Sequence, residues 1–182
     1  MGVSAGHSSS WHGRAISCLY EARVKVSIKD KLKELALALP TAALPVAAYV
    51  PAVKTGNLVF VAGQLPLVDG KIVKEGKVGK EVTPDEAKEM AQICALNALA
   101  AISLVADIDQ IQKIVRVGGF VNGIPGFTAI PPIINGASEL FIKLFGEVNG
   151  KHARTAIGVA ELPLNSPVEV EVLVQLKNST EQ

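Results

Sequence analysis

Aromatic side chains are scarce in this chain of 182 residues, because Phe, Trp and Tyr make up only 4% of it while hydrophobic residues make up 49%. The core is therefore expected to be aliphatic, and binding through base stacking is disfavoured. An excess of charge is also lacking, since 18 Lys and Arg face 17 Asp and Glu, for a formal net charge of +1. Nucleic-acid-binding proteins usually carry a basic stripe, so no nucleic-acid partner is expected.

Cysteine and long apolar runs are scarce as well. Two cysteines, Cys18 and Cys94, make no disulfide framework, and without a CxxC pair or a cluster of His and Cys no zinc or other metal site is expected. No stretch reaches the roughly 18 uninterrupted apolar residues of a membrane span, so no membrane association is expected. Together these features fit a reducing compartment, and we predict a cytoplasmic location.

Residues 1–24 differ in composition from the remainder of the chain. They are rich in Gly and Ser, include Trp11 and a few basic residues, and have no acid before Glu21. Two interpretations stay open: a disordered tail, or a weak targeting segment that would direct the protein to a mitochondrion or plastid. Residues 25–182 are predicted to form one domain, because this length suffices for one domain and hardly for two.

Capping signals place the helices. Ser27 is a suitable N-cap for a first helix, and Thr83 with Glu86 forms a capping box around a proline at the first position of a second. Gly146 is expected to close a third. The predicted helices cover residues 28–39, 84–105 and 135–145.

Hydrophobic runs and glycines place the strands, which are predicted over residues 57–64, 111–122, 154–160 and 167–176. Asp69-Gly70 predicts the tight turn of a short hairpin, because both residue types tolerate positive φ. Gly118-Gly119 inside a strand indicates a bulge or a close backbone approach. Helices on one face of a mixed sheet give an α+β fold.

The last predicted strand alternates valines with polar residues. Because successive side chains point to opposite faces of a sheet, the valines are expected to meet the helices. Glu169 and Glu171 then lie on the other face, which partner subunits of an oligomer would cover. A carboxylate set apart from any cation there is expected to have a raised pKa.

Arg154 is the most informative single residue, because it stands in an apolar run that leads into a strand. A guanidinium in such surroundings is costly unless an anion meets it. Two interpretations stay open. Either Glu169 or Glu171 forms an internal ion pair with Arg154, or a ligand carboxylate or phosphate does.

Three motifs in this order resemble the YjgF/RidA family, the reactive intermediate (2-iminoacid) deaminases. Residues 154–171 match its C-terminal signature of an arginine, a short apolar stretch, Leu162-Pro163 and a strand with alternating acids. Residues 49–66 match a pattern of tyrosine, Gly-Asn and Gly-Gln, and residues 135–141 match a third motif at the start of a helix. The resemblance covers about residues 32–177 and is greatest to a longer subgroup with an extra N-terminal helix.

The resemblance implies a fold, an assembly and a reaction. The fold would be that of Bacillus-type chorismate mutase, with two helices on one face of a mixed sheet, plus the N-terminal helix. The assembly would be a homotrimer with clefts between its subunits. The reaction would be hydrolysis of a small 2-iminoacid to a 2-ketoacid and ammonia, with no metal or cofactor.

The resemblance also implies roles for six residues. Arg154 would bind the substrate carboxylate, Glu169 would orient or deprotonate the attacking water, Tyr49 would border the cleft, the backbone around Gly63 and Ala156 would contact the imine end, and Asn135 would support from the neighbouring subunit.

Three of these residues also have a simpler interpretation. Tyr49 fits a half-buried residue with its hydroxyl in water, Gly63 a packing glycine, and Asn135 a plain helix N-cap. His152 is interpreted as a loop or rim histidine that points the same way as Arg154.

Two departures from the family pattern keep other functions open. Ala62 stands where many active deaminases have Ser or Thr, and Ala156 stands where many have Cys. A trimer that binds or senses small carboxylates without turnover is therefore the alternative. An endoribonuclease or translation inhibitor, a label attached to relatives, is disfavoured because the chain has no histidine pair or basic patch.

Overall fold

A computed structural model of the chain describes residues 1, 27–42 and 48–178. The predicted tail over residues 1–24 therefore lies, apart from Met1, outside the described residues, as do residues 43–47. The residues below are all within the described ranges.

Five strands form one sheet and two form a separate hairpin. The strands are β1 (Ala52–Thr55), β2 (Leu58–Gln64), β3 (Leu67–Val68), β4 (Lys71–Ile72), β5 (Ile111–Asn122), β6 (Ala153–Val159) and β7 (Val168–Leu176). The sheet has the order β1-β2-β7-β5-β6, in which only β5 and β6 pair in parallel. The β3–β4 hairpin is confirmed, and Asp69 and Gly70 adopt the positive φ angles of its turn, 50° and 76°.

Three α-helices flank the sheet, and their caps follow the sequence signals. They are α1 (Ile28–Glu34), α2 (Pro84–Ile102) and α3 (Ile130–Gly150). The Ser27 side chain accepts from the Asp30 amide, and the Thr83–Glu86 capping box is present. The first helix is shorter than predicted, because the chain leaves helical geometry before Ala36, whose φ is 53°.

The third helix differs from its predicted bounds at both ends. It begins five residues earlier, at Ile130, because Pro131 and Pro132 lie in its first turn, where a missing N–H costs nothing. Gly146 does interrupt it, with φ of 77°, but a further helical turn follows and ends at Gly150. The early start brings a longer helix alongside β5 and β6.

The core lies between one face of the sheet and the two long helices. The four valines of β7 are 0–3% exposed, as predicted for the helix-facing side, and Cys94 on α2 is fully buried among apolar residues. A Cβ at Gly136 of α3 would overlap the Lys88 carbonyl oxygen of α2. Only a glycine therefore allows the two helices to pack this closely.

One strand and one glycine pair complete the comparison of the sheet with the predictions. Strand β1 was not among the predicted strands. Of the two features that Gly118-Gly119 indicated, close approach is confirmed, because added Cβ atoms would collide with Glu171 and Ile134, on opposite faces of the sheet. The irregularities of β5 against β7 fall between Ile111 and Arg116 rather than at the glycine pair.

The sheet face away from the helices, here called the open face, is covered by no described element. Exposed apolar side chains lie on it, with Val53, Phe60 and Ile157 each 45–51% exposed. Glu169 and Glu171, which alternate with the buried valines along β7, also lie on the open face and are half-buried. The predicted separation of acids and valines in β7 is therefore confirmed.

Candidate functional site

Arg154 lies on the edge strand β6, with its side chain exposed and directed toward α3. Its Nη1 donates to Asn135 Oδ1 at 2.7 Å and to Ser138 Oγ at 3.1 Å. Of the two interpretations left open for this arginine, the internal ion pair with Glu169 or Glu171 is wrong, because β5 lies between β6 and β7 and the acids point to the opposite face. Within the described ranges no residue accepts a hydrogen bond from Nε or Nη2 of Arg154.

Asn135 and Ser138 hold the arginine from within α3. Asn135 is the sixth residue of the helix rather than its N-cap, so the N-cap interpretation is wrong. It also touches Arg154 within one chain, whereas we had expected it from a neighbouring subunit. Ser138, one helical turn further on and only 8% exposed, was missed in the sequence. Its position three residues after Asn135, which places it on the same helix face, is the signal that identifies it.

His152 extends this group just before β6 begins. Its Nε2 is 3.0 Å from Ser138 Oγ and its Nδ1 is 2.7 Å from the Gly150 carbonyl oxygen. Its ring meets Phe141 edge-on, with centroids 6.1 Å apart. Burial lowers the pKa of His152, its bond to Gly150 opposes this to a smaller extent, and the nearby Arg154 cation adds a still smaller lowering. His152 does point the same way as Arg154, as expected.

Glu169 lies on the open face and packs against the backbone of Gly63. A Cβ at Gly63 would overlap Glu169 Oε1 and lie 2.7 Å from its Cδ. Burial, followed by the field of Glu171, raises the pKa of Glu169. Glu171 lies 3.7 Å from the Nη1 atom of Arg116. In the described part of the chain Glu169 has no cation of its own, so its raised pKa agrees with the expectation for a carboxylate far from Arg154.

Of the remaining predicted residues, two lie near Glu169 and one lies near Arg154. Tyr49 is 56% exposed, and two residues later the Pro51 carbonyl accepts from the Ala62 amide, so the Tyr49 segment approaches Gly63. Beside Gly63, the register of β2 and β7 shifts between Val61 and Gln64. Ala156 follows Arg154 on the helix-facing side of β6 and packs against the core.

The candidate site thus consists of two separate groups in one chain. We call Arg154, Asn135, Ser138 and His152 the arginine half-site, and Glu169, Glu171 and Gly63 the glutamate half-site. Their separation leaves one chain unable to hold a small substrate between Arg154 and Glu169.

Two structural features are absent from the described residues. No group of three His, Cys, Asp or Glu side chains with metal-binding geometry occurs among them. No helix in the same part of the chain is long and apolar enough to cross a membrane.

Comparison with known proteins shows the family. The family model described as "YjgF/chorismate_mutase-like, putative endoribonuclease" matches residues 29–176. The chain belongs to the YjgF/RidA family. This membership confirms the resemblance seen in the sequence and the α+β, chorismate-mutase-like fold.

Individual relatives are similar over most of their length. Protein TCP17 of Trypanosoma cruzi is 40% identical over 83% of this chain and 95% of its own. A 2-iminobutanoate/2-iminopropanoate deaminase of Dermatophagoides farinae is 29% identical, over 78% of this chain and 95% of its own. A crystal structure of Atu1372 from Agrobacterium tumefaciens, a protein of unknown function, is 40% identical with a TM-score of 0.74, covering 84% of this chain and 95% of that one.

Proposed function

We propose that the protein hydrolyses small 2-iminoacids to 2-ketoacids and ammonia. The observation that carries the proposal is the pair of half-sites, a guanidinium with a free bidentate edge and a carboxylate with a raised pKa. The reaction requires one group that binds the substrate carboxylate and one group that accepts a proton from the attacking water. The deaminase from Dermatophagoides farinae supports the reaction class through its similarity over 141 residues.

We further propose that the working site forms between subunits of a homotrimer. The open face carries exposed apolar side chains such as Phe60 and Ile157, which association would bury. The edge strand β6 of one subunit would bring Arg154 to the glutamate half-site of its neighbour. One subunit would then contribute Arg154 and Asn135 to the site. Its neighbour would contribute Glu169, Tyr49 and Gly63.

The arginine half-site would hold the substrate by its carboxylate. Nη1 of Arg154 is occupied by Asn135 and Ser138, which leaves Nε and Nη2 as a pair of parallel donors. Two parallel N–H donors match the two oxygens of a carboxylate and fix its plane. The backbone near Ala156 and Gly63 would contact the imine end, and Tyr49 would border the cleft.

Glu169 would act on the water. The reaction starts from the protonated imine. Glu169 takes one proton from the water as the water oxygen bonds to the imine carbon and the C=N π electrons move to nitrogen, which gives a carbinolamine. Glu169 then returns that proton to the amine nitrogen. As the C–N bond breaks and ammonia leaves, Glu169 takes the hydroxyl proton, the C=O bond of the ketoacid forms, and this proton is released to solvent. A pKa raised by burial suits the first step, because it makes Glu169 a stronger base than an ordinary carboxylate. These steps require neither metal nor cofactor.

The test is release of ammonia from iminoacids that an amino-acid oxidase generates in the assay. Wild-type protein is expected to accelerate the release, and Arg154→Ala to lose the acceleration. Lys143→Ala is the control, because Lys143 is an exposed cation on α3 and, within the described ranges, no hydrogen bond or ion pair joins it to either half-site. No acceleration by the wild-type protein, or equal acceleration by Arg154→Ala, would contradict the proposal.

A carboxylate binder without turnover is the second candidate. Ala156 favours it, because a methyl group that packs on the core supplies no acid or base beside Arg154. This candidate predicts thermal stabilisation by pyruvate that is lost in Arg154→Ala, with no ammonia release from the wild-type protein.

A further inference from the structure

A chain of four hydrogen bonds runs from the end of α3 to the guanidinium of Arg154. It passes from the Gly150 carbonyl to His152, then to Ser138, then to Arg154 Nη1, and ends at Asn135 Oδ1. The proposed function uses only the arginine end of this chain. Ser138 enters it only as an acceptor that occupies Nη1 of Arg154, and His152 has no role in it so far.

The chemistry of the end groups fixes every proton in the chain. A carbonyl oxygen only accepts, so His152 carries a proton on Nδ1 to bond Gly150. Arg154 only donates, so Ser138 Oγ accepts from it. The hydroxyl proton of Ser138 then points to Nε2, which in a neutral imidazole is the acceptor. Neutral His152 therefore orients the hydroxyl so that a lone pair faces Arg154.

Protonated His152 does not fit this arrangement. An imidazolium donates from both nitrogens, so Ser138 would face two donors, both cationic, and its own proton would lose its acceptor. Repulsion between the imidazolium and Arg154 would add to the cost.

The other charged groups around His152 are engaged elsewhere. On α3, Glu139 pairs with Lys88 and Glu147 with Lys151, while Lys143 is exposed. On β5, Lys113 donates to the Val148 carbonyl. Arg116 of the same strand lies near Glu171, on the open face. Arg154 is therefore the charge that His152 experiences in the described part of the chain, in agreement with its effect on the histidine pKa.

The backbone around Gly150 holds the far end of the chain firmly. Gly146 breaks the helix with its positive φ, and the following turn folds back on the body of α3. A Cβ at Gly150 would lie 2.5 Å from the Phe141 carbonyl oxygen and 2.6 Å from the Ile142 Cα. The Gly150 carbonyl is thus a fixed anchor for His152, whose ring also packs on Phe141.

We infer that Ser138 and His152 are positioning residues for Arg154, and that neutral His152 aligns the guanidinium for carboxylate binding. The inference rests on the proposed carboxylate site at Arg154. An exposed arginine loses considerable side-chain entropy when it binds a ligand, and holding Nη1 in advance reduces that loss. Binding of a carboxylate should therefore weaken when His152 becomes protonated.

Pyruvate, a small 2-ketoacid, serves as the probe for calorimetric titration between about pH 5 and pH 8, where a histidine near Arg154 changes charge. The titrations use full-length protein carrying Glu169→Gln, so that Glu169 cannot contribute a second pH dependence. This Glu169→Gln protein, the parent of the variants below, is expected to bind pyruvate more weakly at the lower pH. Ser138→Ala should weaken binding about three- to tenfold at the higher pH, the usual effect of one lost hydrogen bond, and should remove the pH dependence.

His152→Gln separates positioning from mere structure. Its amide oxygen is able to accept from Ser138 as Nε2 does, but it does not titrate. Affinity at the higher pH is therefore expected to stay within about twofold of the parent, a small fraction of one hydrogen bond, and the loss at the lower pH to disappear. Nitrogen NMR of His152, assigned by its absence in His152→Gln, should show the proton on Nδ1.

Each other result overturns a defined part of this account. No binding of pyruvate by the parent protein, or binding that Arg154→Ala leaves intact, contradicts the proposed function and this inference together. Binding that depends on Arg154 but is unchanged by Ser138→Ala, or keeps its pH dependence in His152→Gln, contradicts the inference alone. A proton on Nε2 at the higher pH also contradicts it.

Discussion

The arginine half-site and the glutamate half-site differ in how the chain satisfies their charges. Arg154 is exposed, yet two acceptors and a histidine behind them hold one of its nitrogens. Glu169 is half-buried, yet nothing described in this chain donates to it, and its neighbour Glu171 carries the same charge. One half-site is thus organised before binding, and the other is destabilised until a ligand or a partner reaches it.

This difference indicates a division of roles. A cation held by neutral acceptors keeps its charge and its direction, which suits recognition of an anion. A carboxylate without a cation binds a proton more tightly, which suits proton transfer. Separating the two by a strand and by a face of the sheet prevents Arg154 from lowering the pKa of Glu169 in the isolated chain.

The largest expected effect comes from Glu169→Gln. Removing a general base typically costs about 100-fold or more in turnover. Because the substitution leaves the arginine half-site intact, pyruvate affinity should change little. Steady-state kinetics and calorimetry on the same preparation check both expectations. Glu171→Gln is the control, and an equal loss of turnover in it would remove the distinction between the two acids.

Arg154→Ala, unlike Glu169→Gln, is expected to weaken the binding of substrate and of pyruvate. Loss of a bidentate pair with a carboxylate should lower kcat/KM at least about 100-fold, because two charge-assisted hydrogen bonds of roughly 1.5–3 kcal/mol each together contribute about 3 kcal/mol or more. Pyruvate binding should fall with it. Since Arg154 is exposed, the melting temperature should be nearly unchanged. A full-strength pyruvate site in Arg154→Ala would show that another cation binds the carboxylate.

Gly63→Ala tests the contact that distinguishes the glutamate half-site. The added methyl group would overlap Glu169 Oε1 and displace the carboxylate, so turnover should fall about tenfold, the order expected for a displaced catalytic group. Gly118→Ala is a close match, because its Cβ would lie 2.5 Å from Glu171 Oε1 instead. The comparison fails if both substitutions reduce turnover equally.

A smaller effect concerns stability. The folded-state pKa of Glu169 lies above its unfolded value, so its contribution to stability is fully present at low pH and is lost as the pH rises through the folded-state pKa. At neutral pH the ionised carboxylate is therefore a destabilising group. In an Arg154→Ala background, in which no subunit brings this guanidinium to Glu169, adding Glu169→Gln should raise the melting temperature at pH 7 and have less effect in acid. A lower melting temperature at pH 7 would contradict the assignment of Glu169 as an uncompensated charge.

The smallest expected effect is a shift in the pH profile by Glu171→Gln. The field of Glu171 raises the pKa of Glu169, so removing that charge should lower it. The acid limb of the profile of kcat/KM, where activity rises as Glu169 ionises, should move to lower pH. An unmoved acid limb would show that another group controls it.

Local signals in the sequence predict much of the fold. The capping box at Thr83, the turn at Asp69-Gly70 and the strand over residues 111–122 were all confirmed, because each depends on neighbouring residues alone. Strand β1 was not predicted, since its four residues gain strand geometry only from pairing with β2. The start of α3 was hidden by two prolines, which usually end helices but here begin one.

The candidate site is less predictable than the fold. Arg154, Glu169 and Gly63 were identified by family resemblance, and the alternation of β7 correctly placed the acids on one face. Asn135 was identified in the same way but was expected from a neighbouring subunit, and Ser138 was missed, because strand order decides which side chains meet. With β5 between β6 and β7, the arginine turns to α3 and finds Ser138, a residue that no strand pattern could indicate.

The most direct test of the two half-sites is complementation between two inactive variants. Arg154→Ala and Glu169→Gln chains, carrying different tags, are expressed together, and oligomers that contain both are purified. With sites formed between the subunits of a homotrimer, every mixed trimer has one site in three with both an intact arginine and an intact carboxylate, whichever variant it contains twice. Ammonia release should therefore return to about a third of the wild-type rate. If the mixed oligomers are as inactive as each variant alone, the two half-sites do not work across subunits, and the account is wrong.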